Sequence, residues 1–171
     1  YQNDAGETVN GATTNGTSST TTIPFGTLVA NTPVIISQDL TVETNAINGF
    51  VVTVEADQAL LSSTGADIDE FKDDALVTTP EAWEAPSVGL DIADENTWGH
   101  WGITTEDATT TRSNEFGSNQ WAGVTTTPIV IYSHDGPATV ASSVENGQGS
   151  TTVGYQVEIS ALQEAADDYS T

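Results

Sequence analysis

The chain has 171 residues and a formal net charge of −23, because 25 acidic residues face only two permanent cations, Lys72 and Arg112. A negative field of this strength repels nucleic acids and anionic lipid, so we predict neither a nucleic-acid partner nor membrane insertion. The absence of cysteine excludes disulfides, thiolate metal sites and cysteine nucleophiles.

Residues 1–22 are small and polar, with Asn, Gly, Thr and Ser predominating. A segment with so little apolar surface cannot offset the entropy of its own ordering, so we predict a flexible or strand-donating arm. Tyr1, Ala5 and Val9 share one face at a period of two, and they are the predicted contacts with a neighbouring subunit. Asn15, in the sequence Asn-Gly-Thr, is a predicted N-glycosylation site.

Residues 23–171 are predicted to form one β-sandwich domain. Residues 33–37 and 40–43 indicate strands, and Asn48–Gly49 separates the second of them from a β-branched run at 50–55. Because a type I′ turn requires positive φ at both central residues, Asn-Gly between such runs predicts a hairpin.

One short helix is predicted over residues 64–76, where Ile68, Phe71 and Ala75 recur at helical spacing. Further short runs bounded by Gly, Pro, Asn or Asp predict strands at 88–92, 98–104, 116–124, 129–133, 139–143 and 151–159. Apolar residues alternate in the last run, which predicts one buried face. Many short strands without crossover helices predict an all-β fold, an antiparallel β-sandwich or jelly roll with one short helix, open to completion by a strand from a neighbouring subunit.

Two stretches resemble segments of secreted prokaryotic surface proteins. Thr44–Phe50 and the strand after it are similar to a hairpin of such proteins, and Gly154–Ile159 with the following turn and Tyr169 are similar to their closing strands. The whole profile resembles TasA-like and archaeal bundling-pilus filament subunits. This resemblance implies a jelly roll that assembles by passing a strand into the next subunit, with a further strand after the tyrosine.

The composition also predicts a location. The chain has no Met, hardly any Lys, and no basic and apolar leader in its first residues. These features are typical of a processed, secreted product. We therefore predict an extracellular or cell-surface location after removal of a secretory signal.

Two acidic groups are candidate calcium ligands, because Ca²⁺ takes six to eight oxygen ligands. Asp67, Asp69 and Asp73 lie around the predicted helix, and Asp91 and Asp94 lie in a predicted loop. Solvation of an exposed surface is the competing explanation for both groups. No other cofactor is predicted.

The densest aromatic cluster is the segment Trp98–Trp101. Exposed indoles would stack on sugar rings if Trp83 and Trp121 lay coplanar nearby, whereas buried indoles would fill the core. Two isolated histidines make no zinc signature, and the sequence has no Gly-x-Ser-x-Gly elbow. We therefore predict no catalytic residue and no enzyme.

Together these features predict a structural subunit of an extracellular filament, pilus or surface layer. Its self-assembly into a homopolymer would proceed by β-strand complementation, in which an extended segment pairs with an open sheet edge of the next subunit. The alternative is a secreted carbohydrate- or calcium-binding β-sandwich module.

Self-repulsion at a net charge of −23 should weaken the fold at low ionic strength. We expect the Tm, followed by circular dichroism, to rise with NaCl. A structural calcium site would add a stabilisation at millimolar CaCl₂ that NaCl does not reproduce at equal ionic strength. Coincident curves for the two salts would exclude such a site.

Overall fold

The computed structural model describes residues 1–73, 76–106, 116–139, 148–166 and 168–171. The predicted all-β fold is confirmed. Within these ranges the strands have a sandwich-like arrangement, with a single α-helical turn, α1 (Pro86–Gly89), and one turn of 3-10 helix at Glu95–Thr97. No helix in these ranges is long and apolar enough to cross a membrane. The strands are β1 (Thr8–Val9), β2 (Ala12–Thr13), β3 (Val34–Thr41), β4 (Phe50–Val54), β5 (Leu60–Leu61), β6 (Asp67–Glu70), β7 (Glu81–Ala82), β8 (Gly99–Thr105), β9 (Gln120–Trp121), β10 (Ile129–His134) and β11 (Ser150–Ile159).

The principal sheet has five strands in the order β3-β11-β8-β6-β5. The longest strand, β11, pairs antiparallel with β3 on one side and with β8 on the other. The pairing of β6 with β8 is parallel, and β5 pairs antiparallel with β6. The β-branched and aromatic residues of β8, β10 and β11 suit such pleated, buried surfaces, which explains why the predictions at 98–104, 129–133 and 151–159 match these strands.

The hydrophobic core joins one face of this sheet to the antiparallel pair β4–β10. Side chains from β6, β8 and β11 meet those from β10 in a single cluster. Its buried members are Ala56, Leu60, Ile68, Trp101, Ile103, Phe116, Ala122, Val124, Ile129, Ile131, Val153 and Val157.

The second face of the sheet is also covered, which differs from the single buried face predicted for β11. Gln156 and Glu158 point away from the core cluster and are nevertheless only 4% and 5% exposed. A Cβ atom at Gly154 would lie 2.8 Å from Val9 Cγ1, so glycine is needed where β1 packs onto β11. The strand is buried on both faces because the N-terminal segment and Trp83 cover the side that alternation assigned to solvent.

The hairpin predicted at Asn48–Gly49 is wrong, although a turn is present there. The Gly49 amide donates to the Ala46 carbonyl at 3.1 Å, and Gly49 has φ +72°. The flanking strands do not pair with each other, because β3 pairs with β11 and β4 pairs with β10. The turn therefore connects two sheets, since a local signal specifies a change of direction but not the partner strand.

The helix predicted over 64–76 is also wrong for residues 64–73, whereas Ala75 of the predicted spacing lies outside the described residues. Residues 67–70 form β6, and Ile68 and Phe71 are both fully buried by tertiary packing. The helical spacing of Ile68 and Phe71 is overridden because the residues between them pair with β8. The one α-helix among the described residues is α1 instead, in the region where a strand was predicted at 88–92, and Pro86 suits its first turn.

Two further strand predictions have different outcomes. The run predicted at 116–124 is shortened to β9, because only Gln120 and Trp121 pair regularly, with β7. The run predicted at 139–143 lies almost wholly outside the described residues.

Residues 1–22 lie against the principal sheet rather than as a free arm. β1 and β2 pair with each other, and Val9, Thr14 and Ser18 are buried. Asn15 lies alongside β3, where its Oδ1 accepts from the Ile35 amide and its Nδ2 donates to the Pro33 carbonyl, each at 2.8 Å. A polar segment can pack here because it satisfies the backbone groups of a sheet edge rather than filling a core.

We expect Asn15→Ala to lower the free energy of unfolding by about 1 kcal/mol, because it removes both side-chain bonds to the edge of β3. Thr17→Ala is the matched control, since it destroys the same glycosylation sequence but leaves Asn15 in place; its effect should stay within about 0.5 kcal/mol. Urea unfolding followed by tryptophan fluorescence, on protein from a host that does not glycosylate, measures both. Equal effects of the two variants would contradict a structural role for the Asn15 amide.

Candidate functional site

Four rings converge on the second face of the sheet, and we call Phe71, Trp83, His100 and Trp121 the aromatic cluster. The Trp83 ring stacks on Phe71 at a centroid distance of 4.8 Å and an interplanar angle of 7°. It meets His100 edge-on at 4.8 Å and Trp121 edge-on at 5.6 Å. Offset and edge-on pairs of this kind stabilise beyond the apolar area that they bury.

Each ring comes from a different part of the chain. Phe71 directly follows β6, Trp83 follows β7, His100 belongs to β8, and Trp121 ends β9. Phe71, His100 and Trp121 are buried, whereas Trp83 is half-buried. The cluster therefore fastens the segment around Trp83 to the sheet.

Both ring nitrogens of the buried His100 have partners. Nδ1 lies 3.1 Å from Asp73 Oδ1, and Nε2 lies 2.9 Å from the Glu84 carbonyl oxygen. Burial lowers the pKa of His100 below its ordinary value, and the nearby Asp73 carboxylate opposes that shift. Since no ring nitrogen is left for a substrate in this arrangement, the site is a packed polar network rather than an open general-base centre.

Glu158 is the second buried charge of this region. It is the register partner of His100 across β11 and β8, and its Oε2 accepts from Trp83 Nε1 at 2.8 Å. A buried carboxylate is costly unless it is hydrogen-bonded. Trp83 thus contributes both ring packing and a hydrogen-bond donor.

Lys72 lies at the border of the cluster. Its Nζ is 2.9 Å from Glu81 Oε1 and 3.7 Å from Glu84 Oε1. The hydrogen bond to Glu81 is the main cause of a raised Lys72 pKa. This ion pair is partly exposed, so it contributes modestly to stability, but it joins the segment after β6 to β7 and the residues that follow it.

The five calcium candidates are not brought together. Asp67 and Asp69 lie in β6, and Asp73 contacts His100. Asp91 Oδ1 accepts from the Ala93 amide, and Asp94 Oδ1 accepts from the Asn96 amide, as in ordinary turns. Within the described ranges, no three His, Asp or Glu side chains converge as a metal site would require.

The four tryptophans do not form the coplanar platform considered for sugars. Trp101 and Trp121 are buried, and the Trp83 and Trp121 rings meet at 73°. Trp98 is half-buried, and its Nε1 donates to the Asp91 carbonyl at 3.1 Å. Beside it lies an open hollow of about 440 Å³, lined by Ile92, Ala93, Asp94, Glu95, Asn96 and Trp98.

The predicted subunit contacts Tyr1, Ala5 and Val9 do not share one face in this chain. Tyr1 is 73% exposed and Ala5 is exposed, whereas Val9 is fully buried against β11 of the same chain. Period two fails because Gly6, between Ala5 and Val9, adopts positive φ and turns the backbone. Contacts of Tyr1 and Ala5 with another subunit stay predictions, as does glycosylation of Asn15.

Sequence reasoning missed the network of His100, Asp73, Glu84 and Glu158. These residues are far apart in the chain and meet only through the pairing of β8 with β6 and β11. One available signal was the position of His100 between glycine and tryptophan in a strand without solvating charges. Such a run predicts burial, and a buried histidine needs polar partners.

We expect Trp83→Phe to lower the free energy of unfolding by about 1.5–3 kcal/mol, because it keeps a ring on Phe71 but leaves the buried Glu158 carboxylate without its indole donor. Trp98→Phe is the matched control: it removes a bond to a carbonyl of a more exposed loop and should cost about 1 kcal/mol or less. Denaturant unfolding followed by circular dichroism compares the two. Equal losses would contradict a stabilising role for the Trp83–Glu158 bond.

Comparison of the chain with protein-family models, curated proteins and solved structures found no match. Function is therefore inferred from the geometry of the chain itself.

Proposed function

We propose that this chain is a structural subunit of an extracellular filament, pilus or surface layer, assembled by β-strand complementation. The supporting observation is that both edges of the principal sheet are completed by short segments remote in sequence. Gln2 pairs with Gln38 along β3, and Ser170 pairs with Leu61 along β5. Backbone pairing of this kind forms equally well between chains, which is the basis of strand exchange.

The β3 edge is adapted to an extended segment. The Asp39 amide donates to the Tyr1 carbonyl at 3.3 Å. Asn3 Nδ2 donates to Ser37 Oγ at 3.1 Å and to Asp39 Oδ1 at 2.9 Å. These contacts are few and polar, so the same segment of a neighbouring subunit would replace them without exposing a core.

The β5 edge is completed in a similar way, by hydrogen bonds to residues 168–171. The amides of Leu61 and Ser170 each donate to the other's carbonyl at 3.0 Å. Gln58 lies at the same edge, where its carbonyl accepts from the Thr171 hydroxyl. The two outermost strands on this side, β5 and β6, have only two and four residues. A longer strand added at this edge would therefore extend the sheet considerably.

Charge also favours junctions made by backbone groups. Copies that each carry −23 repel one another wherever carboxylates approach. Paired amides and carbonyls need no charged side chains, so sheet edges are the least unfavourable places for contact. Assembly through them should strengthen as salt screens the remaining repulsion.

The second candidate is a carbohydrate-binding module, favoured by the hollow beside Trp98. Its polar residues Asp94, Glu95 and Asn96 flank an indole, and indole faces stack on sugar rings. The hollow is open, and all of its lining residues belong to one stretch of chain, residues 92–98, so the structural role has the stronger support.

Cysteine pairing tests the proposed assembly, because the chain has no native cysteine. Gln2→Cys with Gln38→Cys places two thiols on register partners, whose Cα spacing of about 4.5–5.5 Å in an antiparallel pair suits a disulfide. We expect negative-stain microscopy to show polymers that grow with NaCl, and oxidised polymers to give a covalent ladder on non-reducing gels. Leu61→Cys with Ser170→Cys tests the other edge in the same way.

Single-cysteine Gln2→Cys is the control, since it reports only random collisions. Monodisperse particles at every salt concentration would refute the filament subunit. Polymers without a ladder from either pair would refute strand exchange at these two edges while leaving polymerisation established.

A further inference from the structure

One buried imidazole holds two separate segments on the sheet. His100 contacts Asp73 through Nδ1 and the Glu84 carbonyl through Nε2. Asp73 belongs to the segment that leaves β6, and Glu84 to the segment that leaves β7. A single side chain of β8 therefore contacts both segments. Its protonation state decides which of the two contacts is a hydrogen bond.

The partners of His100 restrict where its protons lie. A backbone carbonyl only accepts hydrogen bonds, so Nε2 must carry a proton for the 2.9 Å contact. A neutral imidazole then has a bare Nδ1, which would face the Asp73 carboxylate with acceptor against acceptor at 3.1 Å. The contact is a hydrogen bond only when one further proton lies between Nδ1 and Oδ1.

The charged surroundings of the ring are acidic on several sides. Asp73 contacts it directly, and Glu158 is its register partner on β11. Asp69 is its register partner on β6. The carboxylate of Glu84 is turned toward Lys72. A proton at Nδ1 thus enters a site where negative groups favour it and burial opposes it.

We propose that His100 and Asp73 form a proton-operated clasp, which holds residues 71–73 on β8 when a proton lies between Nδ1 and Oδ1 and releases Asp73 when that proton leaves, while Nε2 keeps its bond to the Glu84 carbonyl. The Asp73 side chain is 13% exposed, so its carboxylate lies close enough to the surface to turn toward water. This clasp is independent of the proposed filament function.

The direction of the switch follows from two comparisons. Relative to an unfolded chain, burial lowers the pKa of His100, so acidification below the ordinary histidine pKa of about 6.5 should reduce global stability. Relative to a folded chain with Asp73 released, the carboxylate raises the pKa of His100, so the same proton favours the closed clasp. Acid should therefore tighten the segment locally while weakening the fold globally.

Hydrogen exchange of the Phe71 and Val77 amides, which lie on either side of Asp73 in the chain and donate to the Trp101 and Phe71 carbonyls at 2.8 Å, measures the clasp after correction for the intrinsic pH dependence of exchange. We expect protection in the wild-type chain to increase about tenfold as the pH falls below the ordinary histidine pKa of about 6.5 and passes the lowered pKa of His100. In Asp73→Asn the amide donates to the bare Nδ1, so protection should be independent of pH. Asp57→Asn is the matched control, because it makes the same substitution at an exposed position and should behave as the wild type.

A wild-type profile without pH dependence would overturn the proposal, as would an Asp73→Asn variant that retains the wild-type dependence. Nitrogen NMR on the unaltered chain gives an independent test, since it has only two histidines and His134 serves as the internal reference. We expect Nε2 of His100 to stay protonated throughout, with Nδ1 gaining its proton on acidification. If the titrating proton were lost and gained at Nε2 instead, the proposal would be overturned. This result does not depend on whether the Asp73→Asn variant folds.

Discussion

The double pairing of β11 is the interaction on which the rest of the structure depends. This strand has neighbours on both edges and packing on both faces, so every other layer is placed relative to it. Val153 and Val157 face the core, while Gly154 and Glu158 face the N-terminal segment and Trp83. A strand in that position can carry few charges, which explains why Glu158 needs a dedicated hydrogen-bond donor.

The distribution of charge is the second constraint. A chain with one Lys and one Arg cannot neutralise its acidic groups by pairing, so nearly all of them must remain at the surface. Glu158 is the informative exception, since it meets the indole N–H of Trp83 rather than a formal cation. An aromatic N–H group thus takes over, at this position, the role that lysine and arginine have in other proteins.

Much of the fold could be predicted from the sequence, and the failures have identifiable physical causes. Strands β8, β10 and β11 are long, β-branched or aromatic, and their type follows from local preference. The helix at 64–76 and the hairpin at Asn48–Gly49 failed because their local signals fit more than one partner, and only contacts with β8 and β10 choose between them. The packing of residues 1–22 was not predictable for another reason: hydrogen bonds such as those of Asn15 leave no hydrophobic pattern to recognise.

The candidate site was the least predictable part. Asp73 was noted as a calcium ligand because of its acidic neighbours, yet its partner in the structure is an imidazole from a strand almost thirty residues away. His100 gave no catalytic or metal signature, and its two contacts depend on the register of β8 with β6 and β11. The spacing of residues in the sequence predicts the structure of one helix or strand at a time. This network depends instead on which strands lie next to one another in the sheet.

The parallel contact between β6 and β8 has a mechanical consequence. The segments at Gln2 and Ser170 attach to opposite edges of the principal sheet, so tension applied between them crosses every strand of it. The ladders of β11 with β3 and β8 are long, but β6 meets β8 through only Asp69 and Glu70 and the adjoining amide of Phe71. The β5–β6 ladder also has two register pairs, so a pulled sheet should separate between β8 and β5, with β3, β11 and β8 remaining together as one block.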